Sequence, residues 1–175
     1  MKIALTTIIF FSLIVLVISC SSPDTATTKK GPISFSAQLG GWYAVDTTAS
    51  FIQIRVTLKN NTADTQAYVN MLCSWRDCYT TNDENNFYLL RDSLCFLNAP
   101  AIYKIPPMKS STDFLTIKTT IPFKDWDKAS FRIGFNLIMQ DTARKLFSYA
   151  DELRAMKNIT WSDSLALKEF DHFSK

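Results

Sequence analysis

Histidine and glycine are scarce in this chain, and their scarcity excludes several kinds of active site. His172 is the only histidine in 175 residues, so a serine or cysteine nucleophile would have only one imidazole available as its base. The four glycines, Gly31, Gly40, Gly41 and Gly134, form neither a GxGxxG motif nor a P-loop. We therefore expect a protein that is not an enzyme and has no bound cofactor.

Neither sign of charge is in excess. The chain has 19 lysines and arginines against 16 aspartates and glutamates, and no basic run with interleaved aromatic residues indicates nucleic-acid binding. Three cysteines follow Cys20, whereas a thiolate metal site needs four Cys or His ligands at compact spacing. We expect no nucleic-acid partner and no metal.

The first twenty residues, MKIALTTIIFFSLIVLVISC, have the layout of a secretory signal. Lys2 precedes an apolar run from Ile3 to Ile18, and the small residue Ser19 leads into Cys20. The run is shorter than the ~20 apolar residues that a helix needs to cross a bilayer. Cleavage of the segment is therefore expected, and a permanent transmembrane helix is not.

The end of this segment, Val17-Ile18-Ser19-Cys20, resembles the lipobox of bacterial lipoproteins. The resemblance implies that residues 1–19 are a signal peptide and that Cys20 carries palmitate-type acyl chains in the membrane lipid. Two or three acyl chains anchor a protein stably, whereas one chain holds it only marginally. Ser21 replaces the aspartate that retains enterobacterial lipoproteins in the inner membrane, which implies an outer-membrane location. An ordinary signal peptide is the alternative.

Residues 20–32 contain no aromatic and no large aliphatic side chain, which predicts a flexible tether. Residues 33–175 are numerous enough to form one domain around a single core. In the tether, Asp24-Thr25-Ala26 resembles the acceptor motif for O-glycosylation in Bacteroidota, which makes Thr25 a candidate glycosylation site.

Hydrophobicity in the domain alternates with a period of two, which predicts strands. The turn-forming residues 60–64 predict a hairpin between the strands 51–58 and 66–75. Seven or eight strands joined by short polar turns favour an antiparallel β-sandwich. The predicted strands are residues 33–39, 51–58, 66–75, 87–90, 102–105, 112–120 and 129–140, with a further candidate at 159–167.

One short C-terminal helix is also predicted. Ser148 and Asp151 have the spacing of a capping box, and Tyr149, Leu153 and Met156 then fall on one helical face. We expect this helix to continue through Lys157 and to cover one end of the sandwich.

The cysteines beyond Cys20 predict a disulfide, because disulfides persist outside the cytoplasm. Cys73 with Cys95 would close a long loop and stabilise the domain by ~2–4 kcal/mol. Cys73 with Cys78 is the competing local pair, and either choice leaves one cysteine unpaired.

Three tryptophans have two open interpretations. Trp42, Trp75 and Trp126 lie outside the regular alternation, so they are candidate ligand-binding residues that would stack on sugar rings. Alternatively, they close the ends of the sandwich as core, because tryptophan buries a large apolar area and has one polar group. If all three are buried, the sugar interpretation fails.

The domain contains several short motifs: Cys73-Ser74-Trp75, Thr81-Asn82-Asp83, Cys95, Asn98 with Pro100, and Trp161-Ser162. Together they resemble a group of small, uncharacterised lipoproteins from Bacteroidota. The resemblance implies an immunoglobulin-like β-sandwich on a lipid anchor, with no activity assigned, and Cys78 departs from the pattern.

These features predict a lipid-anchored, non-enzymatic binding or scaffolding module of the cell envelope. Its partner would be an envelope protein or a glycan. The alternative is a carbohydrate-binding accessory lipoprotein.

Overall fold

The computed structural model describes residues 31–44, 50–91 and 98–173. The predicted signal peptide, Cys20, Thr25 and Cys95 lie outside these ranges. Within them, no helix combines the length and the apolar character that a membrane span requires.

The described residues are mainly β, with antiparallel pairing throughout and one short α-helix, as predicted. The helix α1 is Ala150–Arg154. The strands β1 to β12 are, in order, Ile33–Ala44, Ser50–Asn60, Gln66–Met71, Tyr79–Thr81, Phe87–Leu89, Pro100–Ile105, Ser110–Thr119, Ser130–Phe131, Ile133–Asn136, Ile138–Met139, Ile159–Trp161 and Leu165–Ala166.

The first layer is a four-stranded sheet with the order β1-β2-β7-β5. Strand β2 confirms the predicted alternation, because its inward positions are buried and the residues between them are largely exposed. Strand β7 continues the same inward face, and together the two strands supply much of the core. The inward aliphatic residues are Ile52, Ile54, Val56, Leu58, Leu115 and Ile117.

The second layer consists of two three-stranded sheets, β10-β3-β6 and β11-β9-β4. Only Leu137 separates β9 from β10, so the two sheets continue each other. Strand β3 pairs with β10 and strand β4 pairs with β9, which leaves residues 72–78 as an insertion in an otherwise continuous strand. The predicted strand 66–75 therefore ends early, at Met71.

Aromatic rings join the two layers into a sandwich. Phe35 of β1 lies 5.8 Å from Phe135 of β9 and 6.2 Å from Tyr79 of β4, measured between ring centroids. The order β1-β2-β7-β5 corresponds to the A-B-E-D sheet of an immunoglobulin-like sandwich, and β3/β4, β9/β10 and β11 correspond to C, F and G. Strand β6 is an addition beside β3.

The predicted hairpin between residues 51–58 and 66–75 is wrong. Strand β2 pairs with β1 and β7, whereas β3 pairs with β6 and β10 in the other layer. The buried amide of Asn60 joins the layers, because its Nδ2 donates to the carbonyls of Ile105 and Pro106, each at 3.0 Å. The turn residues therefore carry the chain from one layer to the other.

The C-terminal helix is shorter than predicted. A 3-10 turn at Leu146–Tyr149 precedes α1, which ends at Arg154 instead of Lys157. The predicted capping box is absent, because the Ser148 hydroxyl donates to the carbonyl of Lys145 at 2.7 Å.

Gly134 lies where β9 is covered by β11. A Cβ atom at this position would be 2.6 Å from Cγ2 of Ile159 and 2.9 Å from Cζ3 of Trp161. Gly41 is a contrasting case, because a Cβ atom there would have nothing within 4 Å.

We expect Gly134→Ala to lower the free energy of unfolding by about 1–3 kcal/mol, because the added methyl group overpacks the contact with β11. Urea unfolding of the purified protein measures the change. The control is Gly41→Ala, which we expect to change it by less than about 0.5 kcal/mol. Equal losses in the two variants would contradict the overpacking argument.

Candidate functional site

Trp126 is a core residue and is not available to a ligand. Its side chain is 3% exposed, its indole N–H donates to the carbonyl of Ile121 at 3.0 Å, and its ring lies 5.7 Å from that of Phe170. The ligand-binding interpretation is therefore wrong for this tryptophan, because neighbouring rings and backbone occupy the space around the indole.

Trp42 belongs to the same cluster as Trp126. The two rings lie 5.1 Å apart, and Trp42 also stacks on Phe123 at 5.2 Å. Trp42 is half-buried, whereas Phe123 is 50% exposed. The cluster lies near the C-terminal end of β1. Trp42 and Trp126 therefore contact each other there, whereas Trp75 lies elsewhere in the domain.

Trp75 lines a separate pocket of about 250 Å³ between the two layers. Strand β3 contributes Tyr68 and Asn70, β6 contributes Tyr103, and β7 contributes Ser111 and Asp113. The paired residues stand two apart on their strands, so each pair faces the same side. We refer to the cavity formed by these six residues as the Tyr68 pocket.

The insertion 72–78 places Trp75 in this pocket. It contains the 3-10 helix Trp75–Cys78, and the Trp75 ring packs edge-on against Tyr79, with the centroids 5.8 Å apart. The guanidinium carbon of Arg76 lies 4.6 Å from the centroid of the Trp75 ring. Trp75 is thus held by Arg76 of its own segment and by Tyr79 of β4 while it contributes to the wall of the pocket.

Several polar groups in the Tyr68 pocket have no hydrogen-bond partner among the described residues. Asn70 is 5% exposed, and its Oδ1 accepts a hydrogen bond from the Met71 N–H at 2.7 Å. Its Nδ2 has no hydrogen-bond partner among the described residues, and neither do the side-chain oxygens of the other polar residues of the pocket. These groups are accessible to solvent, because Ser74 Oγ is the only side-chain nitrogen or oxygen atom among the described residues that is fully buried without a hydrogen-bond partner.

The electrostatics of the pocket centre on Asp113. Burial raises the pKa of this carboxyl above its usual range, and the Arg76 charge partly opposes the shift. Burial and the Asp113 charge both raise the pKa values of Tyr68 and Tyr103. The two phenols therefore stay protonated at neutral pH and can donate hydrogen bonds.

The cysteines of the insertion differ in state. Cys73 is disulfide-bonded, whereas Cys78 is a free, buried thiol whose pKa is raised by burial to about 11. The competing pair Cys73–Cys78 is therefore wrong. Within the described ranges, no group of three His, Cys, Asp or Glu side chains is placed to hold a metal ion.

Sequence reasoning found Trp75 but missed the remainder of the pocket. The available signal was a polar residue at an inward strand position, as at Asn70 and Asp113. Alternation alone could not reveal these polar positions. In β7, only Leu115 and Ile117 mark the inward face by hydrophobicity, so the polar residues before them suggest that the strand has ended.

We expect Asp113→Asn to raise the midpoint of thermal unfolding at pH 7 by about 1–3 °C. The pKa of Asp113 is higher in the folded state than in the unfolded state, so ionisation of this carboxyl lowers the stability of the fold. This penalty is absent at acid pH, where the carboxyl is protonated in both the folded and the unfolded chain. The penalty appears as the pH rises past the usual pKa of aspartate and is complete above the raised value. The stability difference between variant and wild type should therefore grow over this interval.

The measurement is thermal unfolding at a series of pH values, with Asp125→Asn as the exposed control. The control should leave the midpoint within about 1 °C of wild type. A loss of stability in Asp113→Asn at pH 7 would show that the carboxylate is stabilised by a partner.

Comparisons with known proteins give no family for this chain. No protein-family model matches it, and no curated protein is significantly similar to it. Among solved structures, it is similar to the yjhA protein from Bacillus subtilis, with a TM-score of 0.35 and 15% sequence identity. That match covers 78% of this chain and 94% of the other chain. A TM-score at this level supports no inference about function.

Proposed function

We propose that this protein is a lipid-anchored lipoprotein of the bacterial cell envelope and acts as a non-enzymatic binding module. The observation that carries the proposal is the order of segments along the chain. An apolar leader ends at Ser19-Cys20, a polar stretch follows, and a β-sandwich begins at Ile33. A folded domain behind a short acylated tether is suited to holding a partner near a membrane.

The state of Cys73 supports an extracytoplasmic location. Disulfides persist in oxidising compartments such as the bacterial periplasm and the cell surface, and they are rare in the cytosol of mesophiles. Cys73 is disulfide-bonded, which agrees with export. Ser21 favours the outer membrane within this envelope.

The Tyr68 pocket favours binding over passive scaffolding. Its six residues come from both layers and from the insertion, and a scaffold would have no need of a cavity whose polar groups lack hydrogen-bond partners among the described residues. Such groups lower stability unless a ligand or solvent satisfies them.

A second candidate function is that of a carbohydrate-binding accessory lipoprotein. Trp75 favours it, because this tryptophan shares a pocket with two tyrosines, an amide and a carboxylate. Aromatic faces with a few polar groups are the usual composition of small-ligand sites. The partner would then be an envelope glycan; otherwise it would be an envelope protein.

We expect Cys20→Ala to abolish labelling by radioactive palmitate in a bacterial host, because it removes the acylated thiol. Globomycin should cause the unprocessed precursor of the wild type to accumulate. The matched control is Cys78→Ala, which should keep the label. A wild-type protein that is cleaved but carries no fatty acid would overturn the lipid anchor and leave an ordinary secreted protein.

We further propose that Cys73 pairs with Cys95, because Cys78 is free. Peptide mapping without reduction should recover Cys73 and Cys95 in one linked pair. Cys78 should react with a maleimide only after denaturation, because it is buried and its pKa is about 11. A linked peptide that contains Cys78 would contradict this pairing.

A further inference from the structure

We infer that the Tyr68 pocket binds one neutral sugar ring of pyranose size. The inference rests on the proposed binding function and names the ligand class and the residues that recognise it. It follows from the shape of the pocket, its hydrogen-bonding groups and its charge.

One wall of the pocket is aromatic. Tyr68 and Tyr103 stack with their ring centroids 5.5 Å apart and their planes inclined by 25°, and Trp75 lies beside them in the lining. Tyr68 is only 4% exposed, so the half-buried rings of Tyr103 and Trp75 offer the surface on which the apolar C–H face of a pyranose can pack. Tyr68 is held from behind by Phe135, whose ring lies 6.1 Å away in an edge-on arrangement, so this wall is rigid before a ligand arrives.

The remaining lining groups match the hydroxyls of a sugar. The Asp113 carboxylate is an acceptor with two oxygens, so it can accept from two adjacent hydroxyls. The Asn70 Nδ2 group is a donor, and the Tyr103 and Ser111 hydroxyls can donate or accept. None of these groups makes a side-chain hydrogen bond within the described residues, so a ligand need not displace internal bonds to reach them.

The charges in and beside the pocket favour a neutral ligand over an ionic one. An anionic ligand would meet the Asp113 carboxylate in a partly buried site. The Asp113 carboxylate would attract a cationic ligand, but the guanidinium of Arg76 already acts on this carboxylate and would repel a second positive charge. A neutral ligand with both donors and acceptors avoids both conflicts.

The size of the pocket limits the ligand to a single ring. Its volume of about 250 Å³ lies just below the ~300–1,000 Å³ of sites for drug-sized ligands. A single terminal or side-branch sugar fits this space, whereas a cleft along a polysaccharide chain would need to be longer.

The experiment is titration of the purified protein with methyl glycosides of glucose, galactose, mannose and N-acetylglucosamine, followed by NMR. At least one glycoside should bind with a dissociation constant in the millimolar range or better. Glucosamine, as the cationic probe, and methyl glucuronide, as the anionic probe, should bind at least about 10-fold more weakly than the best neutral sugar.

Two near-isosteric variants test the residues without removing a ring. Asp113→Asn should weaken binding about 10-fold, because an amide has one acceptor oxygen in place of two charged ones. Tyr103→Phe should weaken it about 3-fold to 10-fold, because it loses one hydroxyl. The controls are Asp125→Asn and Phe123→Ala, which lie outside the pocket and should bind as the wild type does. Thermal unfolding confirms that each variant is folded.

The inference is overturned if none of the four neutral glycosides binds at 50 mM, if Asp113→Asn binds as well as the wild type, or if a charged probe binds most tightly. These results leave palmitate labelling of Cys20 unaffected, so they would overturn the ligand class and not the lipid anchor. If the wild-type protein bound a glycoside but carried no palmitate label, the result would overturn the lipid anchor and leave the ligand class standing.

Discussion

The packing of Phe135 between the two layers is the contact on which the arrangement of the site depends. Its ring lies 4.7 Å from Tyr79, 5.8 Å from Phe35 and 6.1 Å from Tyr68. Phe35 belongs to the first layer and the two tyrosines to the second, so one side chain joins the sheets and supports the wall of the pocket. The position of Tyr68 is thus set by the same apolar packing that stabilises the fold.

The insertion 72–78 supplies the part of the pocket that does not come from a strand. It interrupts one strand of the second layer while the partner strand continues, so the interruption projects a 3-10 turn without disturbing the register. Trp75 and Arg76 come from this turn, and Cys73 ties it covalently to another part of the chain. Loops held by a rigid scaffold are where binding residues commonly occur.

Local periodicity predicted most of the strands, but it did not predict which strands pair with each other. The alternation at 51–58 identified β2 and its inward face because burial of one face imposes a period of two. The residues at 60–64 indicated a reversal of the chain, but a turn does not specify which sheet receives the next strand. That choice depends on contacts distant in the sequence, such as the Asn60 amide, whose acceptors at Ile105 and Pro106 are about 45 residues away. For the same reason Trp75 could be singled out from the sequence, whereas its neighbours in the pocket could not.

The position of Ile33 constrains where the domain can work if Cys20 is acylated as proposed. Ile33 opens β1 opposite Asn60, and Ser111 of the pocket is aligned, through Leu58, with Phe35 only two residues further on. The segment before Ile33, which would lead to the membrane, therefore joins the domain in the half that holds the cavity. Twelve residues span at most about 40 Å when fully extended. The cavity would therefore stay close to the lipid surface, and its ligands would be molecules displayed at that surface instead of solutes in free solution.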